Sequence, residues 1–208
     1  MIEIRDSESG EVRLVVDADT LEGQALVGVR LEGDDFTGIP MPRVSFNYSY
    51  LRNVRFCGAQ MQNAEFRSAS LIAVHLEEAD LSQADFYEAR LLSCRLNRCN
   101  LSGANLQYTR LSDVDLRQAN LRNANLNMAK IAGNLEGADL TGADLRGADL
   151  TDAEIGGAVF DGAKLANARI VGAKLKPVHA KLVSQVNRQK QRSKPVPEGK
   201  KSWWRFWS

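Results

Sequence analysis

Aromatic residues are scarce: Phe, Trp and Tyr together make up 7% of the 208 residues, while 44% are hydrophobic. A core with so few rings must be filled by smaller aliphatic side chains. There are three cysteines, an odd count with no CxxC pair, which excludes a disulfide framework and a four-cysteine zinc pattern. The two histidines, His75 and His179, have no companion at metal-ligand spacing. No apolar run approaches the roughly 20 residues that cross a bilayer. Residues 1–10 (MIEIRDSESG) lack the basic-then-apolar layout of an export signal. A cytoplasmic address is therefore expected. The Gly-Ala-Asp runs across residues 137–149 do not spell GxGxxG, so a phosphate-cradling loop is excluded as well.

The formal net charge of +1 hides a polarised chain. Residues 1–175 carry 18 Lys and Arg against 25 Asp and Glu, a net −7, whereas residues 176–208 carry 9 against 1, a net +8. Because fields are screened within about 8 Å at physiological salt, the acidic body and the basic tail act as separate surfaces.

What the sequence does contain is a period of five. Every fifth residue from Leu21 to Ile131 is Leu, Phe, Met or Ile, which gives 23 positions; after a one-residue deletion the series resumes at Leu135 and runs to Leu175 for nine more. From Ala59 onward a second, small set sits two residues before the centres, as at Ala59, Ala64, Ala104 and Ala143, with Cys94 and Cys99 in the same slot. In a strand, residues i and i−2 share a face, but five is odd, so an unbroken strand would send the next Leu to the other side. An α-helix fails too, because five steps of about 100° turn the next Leu roughly 140° away. The chain must bend once per unit, in the same sense each time, around a common axis: a solenoid.

The unit A-(D/N)-L-x-x, seen in Ala104-Asn105-Leu106 and Ala143-Asp144-Leu145, resembles that of the pentapeptide-repeat family. The resemblance covers residues 17–176. It implies an all-β fold, a right-handed quadrilateral β-helix with one pentad per side and about 20 residues per coil. On that basis 32 pentads make about eight coils, some 38 Å long at the spacing of stacked strands.

Residues 1–16 read as an N-terminal β-hairpin cap, with Ile2 and Ile4 on one strand and Val12, Leu14 and Val16 on the other. Residues 177–192 read as a short C-terminal capping helix that opens at Pro177, and residues 193–208 as a basic linker with a Trp-rich tail. Two irregularities stand out. Pro40 and Pro42 remove backbone donors and should distort the second coil. The unit at Ala132, Gly133 and Asn134 is one residue short, which should tighten a corner or tilt the rod.

A solid stack of Leu offers no place for convergent catalytic groups, so no enzyme, cofactor or metal is expected. Cys94 and Cys99 pack inward, and Cys57 is an isolated outward thiol. Stacking residues four pentads apart puts Arg30, Tyr50, Ser70, Arg90, Arg110, Lys130, Asp149 and Arg169 in one column, with Arg52, Ile72 and Leu92 just beyond it. Neighbouring walls carry Asp80, Asn100, Asn120 and Asp139, and Glu65, Asp85, Asn105, Asn125 and Asp144. Ile72 and Leu92 beside Arg90 and Arg110 form a candidate surface for a protein partner. Trp203, Trp204, Arg205, Phe206 and Trp207 form a second, suited to an anionic membrane surface or an aromatic-lined pocket.

The expected function is that of a non-catalytic protein-interaction or scaffold protein. A homodimer is compatible with it, and direct nucleic-acid binding is disfavoured. The family resemblance implies an alternative, a DNA-mimicking protein that binds DNA gyrase and protects it from quinolone-type poisons.

Overall fold

The structure, a computed structural model, describes residues 2–5, 9–16 and 20–170. Its elements are β1 (Ile2–Arg5), β2 (Val12–Val16), β3 (Arg30–Glu32), β4 (Tyr50–Arg52), β5 (Ser70–Ile72), β6 (Arg90–Leu92), β7 (Arg110–Asp115), β8 (Lys130–Asn134) and β9 (Ala153–Glu154). Strands β3 to β9 stack in chain order as one parallel sheet. Three further parallel ladders run through single residues, starting at Ala25, Asp35 and Pro40. Four ladders per turn make the solenoid four-sided. Among the described residues there is no helix, and so none that could cross a membrane. The expected C-terminal helix and the Trp-rich tail, like the last pentad of the coil count, lie outside the described residues.

The bend demanded by the odd period occurs at one place in the unit. The residue two after each centre takes a left-handed φ between 52° and 79°, from Gly23 to Asn167, except at Gly133 and Asp152. This is the sign that the third residue of a type II turn requires. Most corners also close a backbone hydrogen bond, as from the Ala59 N–H to the Phe56 carbonyl at 3.0 Å. The corners after Leu51, Leu71 and Leu91 lack that bond. There the chain stays extended for three residues, as β4, β5 and β6.

Pro42 fits this scheme. It is the second residue of the turn from Met41 to Val44, whose closing bond is 3.2 Å, and proline is favoured there because its fixed φ suits the turn. The Met41 N–H still donates to the Gln60 carbonyl at 2.8 Å, and Pro40 still bridges to Gln60. The expected distortion of the second coil is absent, because neither missing N–H served the ladder toward the third coil.

Every centre from Leu21 to Ile170 is at most 8% exposed. Five phenylalanines thicken the early coils: Phe46 stacks on Phe66 at 5.5 Å, Phe66 on Phe86 at 4.7 Å, and Phe36 on Phe56 at 5.1 Å. Ile4 and Val16 of the antiparallel β1–β2 hairpin join the same core. At Ser49 and Thr109 the polar group in the small slot is hydrogen-bonded to backbone. The Ser49 hydroxyl donates to the Leu26 carbonyl at 3.0 Å, and the Thr109 hydroxyl to the Leu106 carbonyl at 2.7 Å.

The Asp/Asn before each centre has a structural task. Its Oδ1 accepts the N–H of the residue two further on, at 3.0 Å for Asp80 to Ser82, 3.2 Å for Asn125 to Asn127 and 3.2 Å for Asp144 to Arg146. These N–H groups face no ladder partner, so the side chain replaces water as acceptor. In Asp115 and Asp144 the guanidinium of the arginine two residues on holds the carboxyl below its ordinary range, outweighing burial. For Asp80 burial alone would raise the value, but hydrogen bonds from Ser82, Gln62 and Asn100 together lower it. Carboxyls lowered in the folded state contribute stability that is complete above about pH 4, the unfolded value, and lost as pH falls through the folded value.

At the short unit the residue that has been deleted is the one that turns. The β7–β8 register passes from Ser112↔Ala132 to Val114↔Gly133, leaving Asp113 out of the ladder, and β8 runs straight on to Asn134. A Cβ on Gly133 would meet the Val114 carbonyl oxygen at 2.3 Å and its nitrogen at 2.8 Å, so glycine is required by close approach of backbone and not by φ.

Gly133→Ala should therefore cost about 1–3 kcal/mol through overpacking. Gly58→Ala has a left-handed φ of 63° but open space, and should cost only about 1 kcal/mol. Thermal melts compare the two, and equal losses would mean the short unit is not tightly packed. Asp144→Ala should lower the midpoint at pH 7 by about 2–4 °C, the loss of one net hydrogen bond. Asp144→Asn keeps the turn acceptor and should stay near wild type at pH 7, with a smaller fall on acidification to pH 3. If Asn is as damaging as Ala, the ion pair and not the turn acceptor is what matters.

Candidate interaction surface

The wall made by β3 to β9 presents two outward residues on each of its early rungs, one before and one after the buried centre. Its first rungs are neutralised internally. Glu32 lies 3.8 Å from Arg30 and 3.3 Å from Arg52, and the Arg30 guanidinium sits 4.9 Å from the Tyr50 ring centroid. Its last rungs are too, with Arg169 3.2 Å from Asp149. The middle rungs differ. Between residues 20 and 170 there are thirteen arginines, and eleven of them have a carboxylate within 4.0 Å. The two without one, Arg90 and Arg110, pair as adjacent rungs of the ladder, and Lys130 is the next.

The expected surface residues fall together here. Ile72 pairs with Leu92 on the neighbouring strand; Leu92 is 46% exposed, whereas Ile72 is only half-exposed and flanks the patch. An open groove of about 970 Å³ runs along the corner preceding this wall, lined by Arg90, Arg110 and Lys130 together with Tyr108 and Met128. Tyr108 is 47% and Met128 54% exposed, large apolar groups held outward at left-handed corner positions. Glu88, the carboxylate on the groove, is engaged by Tyr87, whose hydroxyl its charge pushes up. Tyr87 also packs edge-on against Tyr108 at 5.7 Å and lies under Arg67. Tyr48, at the same corner position in an earlier coil, is 68% exposed. Met128 was not singled out by sequence, because a Met two residues after a centre reads as filler until the corner geometry turns it outward. Trp203, Trp204, Arg205, Phe206 and Trp207 lie outside the described residues.

A second cluster appears on the next wall. Cys57 and Glu77 hold equivalent places on successive coils, and His75 precedes Glu77 by two. The Cys57 thiol lies 3.2 Å from Glu77 Oε2, and His75 Nδ1 lies 3.3 Å from Glu77 Oε1. Thiol, imidazole and carboxylate atoms all fall within 4.8 Å of one another, each half-buried. Burial, and then the hydrogen bond to Glu77, pushes the Cys57 thiol up to about 11. Cys94 is pushed up to about 11 by burial, and burial pushes Cys99 up as well. Reading Cys57 and His75 one at a time missed this cluster; the signal was the 20-residue interval from Cys57 to Glu77.

The ladders define a four-sided parallel β-solenoid of pentads, and family models match it from residue 43 onward. A pentapeptide repeat region matches residues 69–135, and pentapeptide repeats match residues 43–72, 134–166 and 143–176. The chain belongs to the pentapeptide-repeat family. Among curated proteins none is significantly similar in sequence. Among solved structures, a trypsin-treated form of QnrB1, a plasmid-mediated fluoroquinolone resistance protein, is 20% identical with a TM-score of 0.47, over 82% of this chain and 91% of that one. HetL, a pentapeptide repeat protein involved in heterocyst differentiation regulation from the cyanobacterium Nostoc, is 24% identical with a TM-score of 0.28, over 76% and 91%. A pentapeptide repeat protein from the Arabidopsis thaliana thylakoid lumen is 23% identical with a TM-score of 0.23, over 76% and 77%.

Proposed function

We propose that the chain is a non-catalytic interaction protein whose rigid solenoid presents the Arg90, Arg110 and Lys130 column to an acidic segment of a protein partner. The observation that carries this reading is the contrast in pairing: eleven arginines are neutralised in place, while the two that are not stand on adjacent rungs. Like charges stacked at strand spacing repel, and a carboxylate-bearing partner would relieve that repulsion. Leu92, Tyr108 and Met128 supply apolar contact on either side of the cations, the mixture that interface cores favour.

A nucleic acid fits less well. Residues 20–170 carry 19 carboxylates against 15 cations, so a polyanion longer than the column would meet acidic walls. The same neutralisation counts against a DNA mimic, which needs carboxylates free of arginine partners.

Binding should fall at least tenfold, about 1.4 kcal/mol, in Arg90→Glu/Arg110→Glu and in Leu92→Glu, and should stay unchanged in Arg43→Glu, where the arginine pairs with Glu22. Acidic-peptide arrays and cross-linking of the full chain measure this, and equal capture by all variants would remove the wall from consideration.

The tail adds a second proposed contact. Three Trp within five residues beside Lys200, Lys201 and Arg205 suit docking to an anionic membrane surface. The full chain should float with anionic liposomes and a chain ending at Lys201 should not; equal flotation would leave an aromatic-lined protein pocket as the tail's target.

A further inference from the structure

We propose that Cys57, His75 and Glu77 form a binding site for one divalent cation of the zinc class, with a fourth coordination position open to solvent. Three observations converge on it. The donor set is a thiolate, an imidazole and a carboxylate, which suits zinc and its borderline-soft neighbours and not magnesium or calcium. The donors are gathered closely enough to close on an ion. Thiol, imidazole and carboxylate atoms lie within 4.8 Å of one another; Cys57 Sγ is 3.2 Å from Glu77 Oε2 and His75 Nδ1 is 3.3 Å from the other oxygen, Oε1, so small side-chain rotations bring them to the roughly 3.4–3.6 Å donor spacing of a zinc site with Glu77 bound through one oxygen. The backbone under the donors is also fixed. The Phe56 N–H donates to the His75 carbonyl at 2.7 Å and the Gly58 N–H to the Glu77 carbonyl at 2.9 Å, locking the two rungs on either side of the cluster. A site on hydrogen-bonded rungs has little ordering left to do on binding.

The cations around the cluster leave room for an ion. Arg55 lies 3.9 Å from Asp35, and Arg95, 62% exposed, reaches Glu77 only at the rim, 4.0 Å away, a contact that the ion would displace. Thiolate and carboxylate together carry −2, so a divalent ion brings the trio to neutrality. Binding exchanges the thiol proton for the metal: the S–H bond breaks, the sulfur lone pair coordinates, and the proton passes to water. Three protein ligands with a solvent-facing fourth position leave room for a water molecule.

The test uses the full chain, kept reduced without added thiols, and titrates it with cobalt(II). A thiolate-to-cobalt charge-transfer band in the near ultraviolet should saturate at one equivalent and disappear on adding zinc(II). Cys94 and Cys99 are each 1% exposed, so the band reports Cys57. Cys57→Ser should abolish it. His75→Ala and Glu77→Gln should each weaken binding at least about tenfold while thermal melts of the metal-free variants stay close to wild type. His179→Ala should leave the band unchanged. The proposal is overturned if tenfold excess cobalt(II) gives no band, or if the band keeps its affinity in both His75→Ala and Glu77→Gln, which would reduce the site to a bare thiol. Should Cys57→Ser fail to fold, the Glu77→Gln and His75→Ala affinities decide alone.

Discussion

Hydrogen bonds between coils hold this protein in shape, and they can form only if the chain turns at the same residue of every pentad. Each centre donates its N–H to a carbonyl 19 residues ahead across most of the solenoid, as Phe56 does to His75 at 2.7 Å. A bend one residue early or late would misalign every later rung, because side chains alternate along extended backbone. Left-handed φ at the residue two after the centre is therefore required even where Tyr48, Tyr108 or Met128 occupies it and pays a steric penalty. Ladders on both sides and a buried centre behind hold such residues in place, helped at Tyr108 and Met128 by the Asn105 and Asn125 acceptors just before the turn.

That constraint also shapes the surface. Residues 20 apart become neighbours, so charges are set against one another at fixed intervals and not by flexible searching. Arg67 reaches Asp85, and Arg122 reaches Asp139, in each case onto the next coil. Exposed ion pairs of this kind add little stability singly. Their effect is to leave most of the surface electrically settled, against which the Arg90, Arg110 and Lys130 column is distinct. The same periodicity brings Cys57 to Glu77 and His75 without any local motif.

The period of five, the bend it forces and the Leu-filled axis were all legible from residue spacing. The hairpin was legible too, from Ile2 and Ile4 alternating with polar residues opposite Val12, Leu14 and Val16. Other features were not. Pro42 read as a defect because a missing N–H matters only where a ladder uses it, and the turn geometry decides that. The Asp/Asn position read as surface charge, but its Oδ1 is a turn acceptor. Glu77 stood unmarked in the sequence, since a carboxylate acquires meaning only from what stacks above and below it.

Sequence alone determined which side chains are buried and how often the backbone must turn, because hydrophobic spacing and the two-residue alternation of extended chain are local properties. The tertiary structure alone decided which outward side chains find a partner and which do not. Neighbourhood on a wall depends on the number of residues per coil and on the register shift at Gly133, neither of which is contained in any single pentad. That Arg90 and Arg110 lack a carboxylate partner among the described residues, and that Cys57 meets Glu77, are products of that stacking.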